Sequence, residues 1–133
     1  MRTLATCIAL CLCASAHANP ERARSNYLLH CMGCHAQDGA GLEGKVPSLR
    51  GTLARLAATL EGRAYVMRVP GVTQSTLSPA EIAEVLNWVL VEFSGARAAR
   101  AVEPFTAAEV AAHKSHPLLE VVATRNALVR EGD

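Results

Sequence analysis

The sequence is poor in aromatic side chains, in excess charge and in long apolar runs. It contains one Trp, two Tyr and two Phe, and its thirteen Lys and Arg face twelve Asp and Glu. A nearly neutral chain lacks the basic surface on which nucleic acids or anionic membranes bind, so neither is expected as a partner. Runs of β-branched residues are short and no internal repeat occurs, which predicts one small, almost wholly helical fold.

The first eighteen residues have the features of a signal peptide. Arg2 gives a positive start, residues 4–13 are apolar, and residues 16–18 form an Ala-x-Ala cleavage motif. The apolar run is much shorter than the ~20 residues that span a bilayer, which excludes a membrane anchor. We therefore expect cleavage after Ala18, a periplasmic protein that begins at Asn19, and no transmembrane segment in the mature chain.

Cleavage leaves only two cysteines, and both belong to the motif Cys31-Met32-Gly33-Cys34-His35. Two thiols three positions apart can each form a thioether with one vinyl group of a porphyrin, and the imidazole that follows is then carried under the iron. The motif predicts one haem c per chain, bound covalently by Cys31 and Cys34, with His35 as the proximal iron ligand.

A redox dithiol and half of a zinc site are the competing interpretations of the motif. A redox dithiol normally follows a buried strand, and no strand-like run precedes Cys31. A cysteine-based zinc site needs two further ligands, and the chain has no second cysteine pair. Both alternatives are therefore disfavoured.

Helix signals divide the mature chain. Asn19-Pro20 predicts a helix that runs into the haem motif, because a capping side chain is followed by proline at the first helical position. Ser78-Pro79-Ala80-Glu81 combines such a proline with a capping box and predicts a helix to about residue 93. Between them, the apolar pattern predicts helices over 52–60 and 62–68 and a loop over 69–77.

The glycine-rich loop of residues 36–45 and the run Pro47-Ser48-Leu49-Arg50-Gly51 make the chain resemble class I cytochrome c. In that family a haem motif, a glycine-rich loop ending in Pro-x-Leu-x-Gly, and a last helix bearing an aromatic side chain come in this order. Here the three features cover about residues 20–95. The resemblance implies an all-α fold with a class I cytochrome c-like helical haem domain.

The resemblance also implies two contacts. The carbonyl of Pro47 is expected to accept the Nδ1 proton of His35, which fixes the tautomer of the ligand and raises its basicity. Trp88 is expected to pack against Ala23 and Tyr27, where the first and last helices of the haem domain cross.

The chain departs from the family at the sixth iron ligand. Class I cytochromes place a Met-Pro shortly before the last helix, and this sequence has Val69-Pro70 there. Valine cannot ligate iron, and Met67 is the one methionine of the mature chain outside the haem motif, which makes it the candidate distal ligand. The competing interpretations are a core methionine beside a five-coordinate iron, and ligation by His113 or His116.

Residues 96–133 lie outside the resemblance, so we divide the chain into a signal peptide (1–18), a haem domain (19–95) and a short helical C-terminal extension (96–133). The capping box Thr106-Ala107-Ala108-Glu109 predicts a helix to about residue 113. Pro117 is predicted to start a second helix. Both helices are expected to lie on the haem domain.

The leading hypothesis is an exported mono-haem c-type cytochrome that carries single electrons between redox proteins, such as a dehydrogenase or an oxidase. No acid–base pair or nucleophile triad accompanies the motif, so we expect an electron carrier and not an enzyme. The missing Met-Pro favours the alternative of a haem-based sensor or gas-binding module with an open iron position. A third hypothesis is a dedicated electron-accepting subunit of an exported dehydrogenase.

Overall fold

The computed structural model of the protein describes residues 19–131. The predicted signal peptide lies outside the described residues. Within this range the chain forms helices and no strands, which confirms the predicted all-α class. No helix in this range is long and apolar enough to cross a membrane. The helices are α1 (Pro20–His30), α2 (Met32–His35), α3 (Thr52–Ala57), α4 (Leu60–Arg68), α5 (Pro70–Thr73), α6 (Pro79–Ser94), α7 (Ala96–Arg100), α8 (Ala107–Lys114) and α9 (Val121–Glu131).

The starts of α1 and α6 are capped as the sequence predicts. The side chain of Asn19 accepts a hydrogen bond of 3.1 Å from the Arg22 backbone N–H. At α6, the Ser78 hydroxyl accepts from the Glu81 N–H at 3.3 Å, and the Glu81 carboxylate accepts from the Ser78 N–H at 2.9 Å. These bonds satisfy backbone donors that have no partner inside the helix.

Helices α1 and α6 pack on each other through an aromatic cluster formed by Tyr27, Trp88 and Phe93. The Tyr27 ring centroid lies 5.2 Å from that of Trp88 and 5.4 Å from that of Phe93. The Trp88 and Phe93 rings meet edge to face at 5.6 Å. The predicted contact of Trp88 with Tyr27 is confirmed, and this cluster joins the first helix to the last helix of the predicted haem domain.

The predicted helix over 52–60 is wrong at its end. Helix α3 stops at Ala57, and Thr59 caps a new helix because its hydroxyl accepts a 3.1 Å hydrogen bond from the Gly62 N–H. Leu60 is therefore the first residue of α4 and is 81% exposed, instead of lying on the buried stripe of α3. The apolar spacing alone did not reveal the threonine cap.

The predicted loop over 69–77 contains one short helix. Proline occupies the first position of α5, and the Thr73 and Gln74 N–H groups donate to the carbonyls of Val69 and Pro70 at 3.0 and 2.9 Å. Pro70 ends α4 and at the same time begins α5, because its fixed φ suits a first helical position.

The extension begins with α7, which the sequence did not predict, and continues with α8, whose predicted capping box is confirmed. The last helix starts at Val121 and not at Pro117, so that prediction is wrong. Between α8 and α9 the Leu118 N–H donates to the Arg68 carbonyl at 3.1 Å. The segment therefore bonds to the end of α4 before a new helix forms.

The predicted extension shares the core of the predicted haem domain. Val102, Phe105 and Val110 are buried in the same apolar cluster as Tyr27 and the buried face of α6. The Asn87 side chain of α6 bonds both backbone groups of Phe105, at 2.9 and 2.7 Å. The core is thus continuous across residue 95.

Arg63 of α4 is a buried polar link between the predicted haem domain and the predicted extension. Its guanidinium donates to the Glu103 and Pro104 carbonyls at 2.7 and 3.2 Å and pairs with the Glu109 carboxylate at 3.0 Å. It also lies over the Phe105 ring, 4.4 Å from the centroid. The residue is only 8% exposed, so these partners compensate for burying its charge.

Candidate haem attachment site

The haem motif occupies the junction between α1 and α2. The Cys31 N–H donates to the Tyr27 carbonyl at 2.9 Å as the last bond of α1, and the Cys31 carbonyl accepts from the His35 N–H at 3.0 Å. Cys31 is half-buried, Cys34 is exposed, and both thiols are free. The fold therefore brings two unpaired thiols and an imidazole together on two adjoining helical turns.

The Cys31 thiol has the wrong electrostatics for a reactive dithiol. Burial, helped by the nearby Cys34, raises the pKa of Cys31 to about 11. Redox-active Cys-x-x-Cys motifs instead have a thiol whose pKa is lowered. Among residues 19–131 there is also no group of three or more His, Cys, Asp or Glu side chains that could hold a metal ion, as a zinc site would require.

His35 points one ring nitrogen toward the following loop. Its Nδ1 lies 3.3 Å from the carbonyl oxygen of Pro47. Burial lowers the pKa of His35 below its usual value, and the bond to Pro47 offsets part of that effect. A neutral imidazole with Nδ1–H held by a carbonyl leaves Nε2 as the nitrogen with a free lone pair, which is the form that binds a metal.

The loop from residue 36 to residue 51 is folded tightly enough to return Pro47 to His35. The Gly41 N–H donates to the His35 carbonyl at 2.9 Å, and Leu42 and Val46 pair in a single antiparallel bridge. Gly41 has φ of 75°, and a Cβ at this position would overlap the Val46 carbonyl oxygen and Pro47. Glycine is therefore needed here for both its conformation and its small size.

The residue after His35 is strained, which the sequence analysis missed. Ala36 has φ 62° and ψ 166°, and it is the one non-glycine residue with positive φ in the described range. This region is nearly exclusive to glycine and costs another residue of order 1–3 kcal/mol. The Tyr27 hydroxyl donates a 2.6 Å hydrogen bond to the Ala36 carbonyl. The only sequence signal was a tyrosine four residues before Cys31, which was assigned to packing alone.

Met67 lies on a different element from the motif. It is in α4, is 1% exposed and belongs to the apolar core. Val69, which occupies the family's ligand position, is the residue between α4 and α5 and is partly buried. His116 is exposed and follows the end of α8, with Nδ1 3.2 Å from the Ala112 carbonyl in the last turn of that helix. The structure thus groups Cys31, Cys34, His35 and Pro47, and places Met67 within the core of the neighbouring helices.

The donor set of the motif fits haem c. Thioether formation needs two free thiols at this spacing, and Cys31 and Cys34 provide them. Iron ligation needs a neutral imidazole with one nitrogen free, and His35 provides it through its bond to Pro47. The residues present therefore match the attachment chemistry and the proximal ligation of a c-type haem.

The chain has an all-α fold, a Cys-x-x-Cys-His motif at the junction of α1 and α2, and aromatic packing of α1 on α6, as expected for a c-type cytochrome. No protein-family model matches the chain. Two proteins named cytochrome c-552, one from Thermus thermophilus and one from a particular strain of that species, are each 33% identical to it over 118 aligned residues. The alignments cover 74% of this chain and 90% and 80% of the two relatives. The chain therefore belongs to the cytochrome c family, and it is an electron-transfer protein and not an enzyme.

Proposed function

We propose that the protein is an exported mono-haem cytochrome that transfers single electrons between redox proteins. In this proposal Cys31 and Cys34 hold the haem by thioethers and His35 is the proximal iron ligand. The observation that carries the proposal is the 3.3 Å approach of His35 Nδ1 to the Pro47 carbonyl, beside two free thiols. The likeness to two cytochromes c-552 supports it.

The bound haem supplies an iron that alternates between the ferric and ferrous states. The chain's part would be to hold His35 in one tautomer, with Pro47 accepting the Nδ1 proton, so that Nε2 would be free to bind the metal. The aromatic cluster between α1 and α6 and the buried faces of α3, α4 and α6 exclude water from the core. A low dielectric around the site makes the charge of the oxidised iron more costly and so affects the potential.

We propose export on the basis of the signal-peptide features of residues 1–18. Cleavage after Ala18 would release a periplasmic chain beginning at Asn19, in the compartment where thioether attachment takes place. The partners we propose are other redox proteins, met in transient encounters that need only a small contact area. The division into a haem domain of residues 19–95 and a C-terminal extension of residues 96–133 also remains a proposal, since the two parts share one core.

For the distal side we propose Met67 as the ligand, because the other described methionine, Met32, lies inside the attachment motif. A thioether sulfur favours ferrous iron and blocks exogenous ligands, as a carrier requires.

One observation favours a second candidate function, that of a haem-based sensor or gas-binding module. Met67 is on α4 and is enclosed in the apolar core, and the residue in the family's ligand position is Val69. If Met67 stays in the core, the iron has an open position.

The proposal is tested by reductive titration of the holoprotein together with substitution of His35. We expect uptake of one electron per chain and reversible reoxidation. His35→Ala should abolish the native haem spectrum, whereas His30→Ala, which changes an exposed histidine on α1, should leave it unchanged. Retention of the native spectrum by His35→Ala would contradict the proposed ligation.

Carbon monoxide and gel filtration separate the competing functions. A carrier with methionine ligation should bind carbon monoxide poorly when reduced, whereas a gas-binding module should bind it readily. A dedicated dehydrogenase subunit should elute from native extracts in a stable complex, whereas a free carrier should elute near the size of one chain.

A further inference from the structure

The strain at Ala36 is coupled to His35 through the peptide bond between them. Changing φ of Ala36 from 62° to a negative value rotates one of two groups about the N–Cα bond. The first is the preceding peptide, which carries the His35 carbonyl. The second is the remainder of Ala36, which carries the Ala36 carbonyl. Relaxation of Ala36 therefore either moves the backbone of His35 or moves the carbonyl that Tyr27 holds.

Both groups are held by hydrogen bonds. The His35 carbonyl accepts from the Gly41 N–H at 2.9 Å, and the Ala36 N–H donates to the Met32 carbonyl at 2.8 Å. The Ala36 carbonyl accepts from the Tyr27 hydroxyl at 2.6 Å and from the Gly39 N–H at 3.4 Å. The Tyr27 bond is the one in this set that comes from a side chain, and it links the strained residue to the aromatic cluster.

The position of that hydroxyl is set by the core and not by the loop. Tyr27 is fully buried, and its ring contacts Trp88 and Phe93 on α6. The loop also packs closely against the cluster, because a Cβ at Gly39 would lie 2.8 Å from Phe93 Cδ2. A rigid aromatic cluster thus presents one donor to the carbonyl of the residue that follows His35.

We propose that Tyr27 is a positioning residue for the proximal ligand. Its hydroxyl keeps Ala36 in the glycine-like conformation, and this conformation holds the His35 ring with Nδ1 directed at the Pro47 carbonyl. The inference rests on the proposed function, in which His35 ligates haem iron. It assigns to Tyr27 a role beyond packing at the crossing of α1 and α6.

The test compares Tyr27→Phe with wild type, using Tyr65→Phe as the matched control. Tyr65 is the other tyrosine of the chain and is also buried. Exchange of the His35 Nδ1 proton with solvent is measured by NMR on ferrous protein under carbon monoxide. This form is diamagnetic whether carbon monoxide or methionine holds the sixth position. We expect Tyr27→Phe to accelerate exchange about tenfold, which corresponds to the loss of one hydrogen bond worth about 1.4 kcal/mol.

The reduction potential gives a second readout that packing alone does not predict. A weaker bond from Nδ1 to Pro47 makes the imidazole a poorer donor to iron, which disfavours the ferric state. The potential of Tyr27→Phe should therefore rise, and that of Tyr65→Phe should remain at the wild-type value. Exchange and potential equal to wild type in Tyr27→Phe would overturn the proposal.

Ala36→Gly shows whether the hydroxyl acts through Ala36. Glycine adopts this conformation without strain, so Tyr27→Phe should have little effect in the Ala36→Gly background. An undiminished effect there would overturn the proposal.

If Tyr27→Phe alone yields no holoprotein, the double variant decides: recovery of wild-type exchange and potential supports the proposal, and continued loss overturns it. Failure of the proposed function is distinguishable, because wild type itself would then lack covalent haem or histidine ligation.

Discussion

The ammonium group of Lys114 donates a 2.7 Å hydrogen bond to the carbonyl oxygen of Leu77, and a second of the same length to Ser75. Lys114 is at the end of α8 in the extension, and the two carbonyls belong to the segment between α5 and α6. On the other side of this region, Arg68 Nε donates to the His116 carbonyl at 2.6 Å. The extension therefore holds both ends of the stretch from Arg68 to Leu77, and Val69 and Pro70 lie within this stretch.

Replacing Lys114 with methionine should loosen this segment. The apolar stem of the side chain is retained, but the donors to both carbonyls are lost, so we expect a loss of about 1–3 kcal/mol in the free energy of unfolding. Native-state hydrogen exchange should accelerate in residues 74–78 more than in α6. Lys45→Met, a substitution of an exposed lysine, is the control and should leave both quantities unchanged. Equal exchange in the two variants would argue against a brace.

Glu109→Gln should reveal the ion pair with Arg63 through its pH dependence. Burial raises the pKa of the Glu109 carboxyl, but hydrogen bonds from Thr106 and Arg63 outweigh this and lower it overall. A lowered pKa in the folded state contributes stability that is present above the unfolded pKa and is lost as pH falls through the folded pKa. Glutamine can keep the capping box through its amide oxygen, while it removes the charge and one of the two oxygens that accept from Arg63.

We expect Glu109→Gln to cost about 1–2 kcal/mol near pH 7, less than for a fully buried pair because the carboxylate is about one-third exposed. Urea denaturation of both proteins should show this difference shrinking below pH 4.5. A difference that is constant with pH would mean that the charge of Glu109 contributes nothing.

Phe105→Ala tests whether the extension belongs to the core. The ring is 3% exposed, lies under Arg63 and belongs to a residue whose backbone is held by Asn87. Truncation should lower the free energy of unfolding by about 3–5 kcal/mol. The control is Leu119→Ala in the same extension, where the side chain is 91% exposed and a change within about 0.5 kcal/mol is expected. If Phe105→Ala and Leu119→Ala both change the free energy of unfolding by this small amount, the extension only covers the surface.

Met67→Leu and Val69→Met examine the distal side from two positions. Leucine preserves apolar volume while removing the sulfur. If Met67 ligates iron, Met67→Leu should lose the weak long-wavelength band of sulfur-ligated ferric haem and should bind carbon monoxide faster when reduced. Val69→Met restores the family's ligand at its own position and should restore the band in the Met67→Leu background. Identical spectra and carbon monoxide binding in wild type and Met67→Leu would make Met67 a core residue only.

The elements that the sequence predicted are those with local signals. The caps at Asn19, Ser78 and Thr106 depend on side chains within one turn of the helix they start, and all three are present in the structure. The break at Thr59 was missed because the apolar spacing continues to Leu60, although Thr59 is a capping residue. The helix at Pro70 was missed because a proline that ends one helix can also start the next. The late start of α9 follows from a long-range bond between Leu118 and Arg68, which no local pattern contains.

The site was predictable as a set of residue types but not as a geometry. Spacing indicated the two thiols and His35, and the family resemblance supplied Pro47. The strain at Ala36 and the hydroxyl of Tyr27 that meets it arise only when α1 packs on α6, since Trp88 and Phe93 fix the ring. The continuity of the core into the extension likewise depends on contacts between Asn87 and Phe105, eighteen positions apart.

Covalent haem attachment is tested most directly by intact-mass spectrometry after extraction with acidified acetone, on protein exported from cells that attach c-type haem. We expect a chain that begins at Asn19 and retains the mass of one haem. Cys31→Ser and Cys34→Ser should each leave a single thioether, and the double variant should lose the haem on extraction. A wild-type chain that gives up its haem to acidified acetone, with both thiols free in the mass spectrum, would contradict covalent attachment by Cys31 and Cys34.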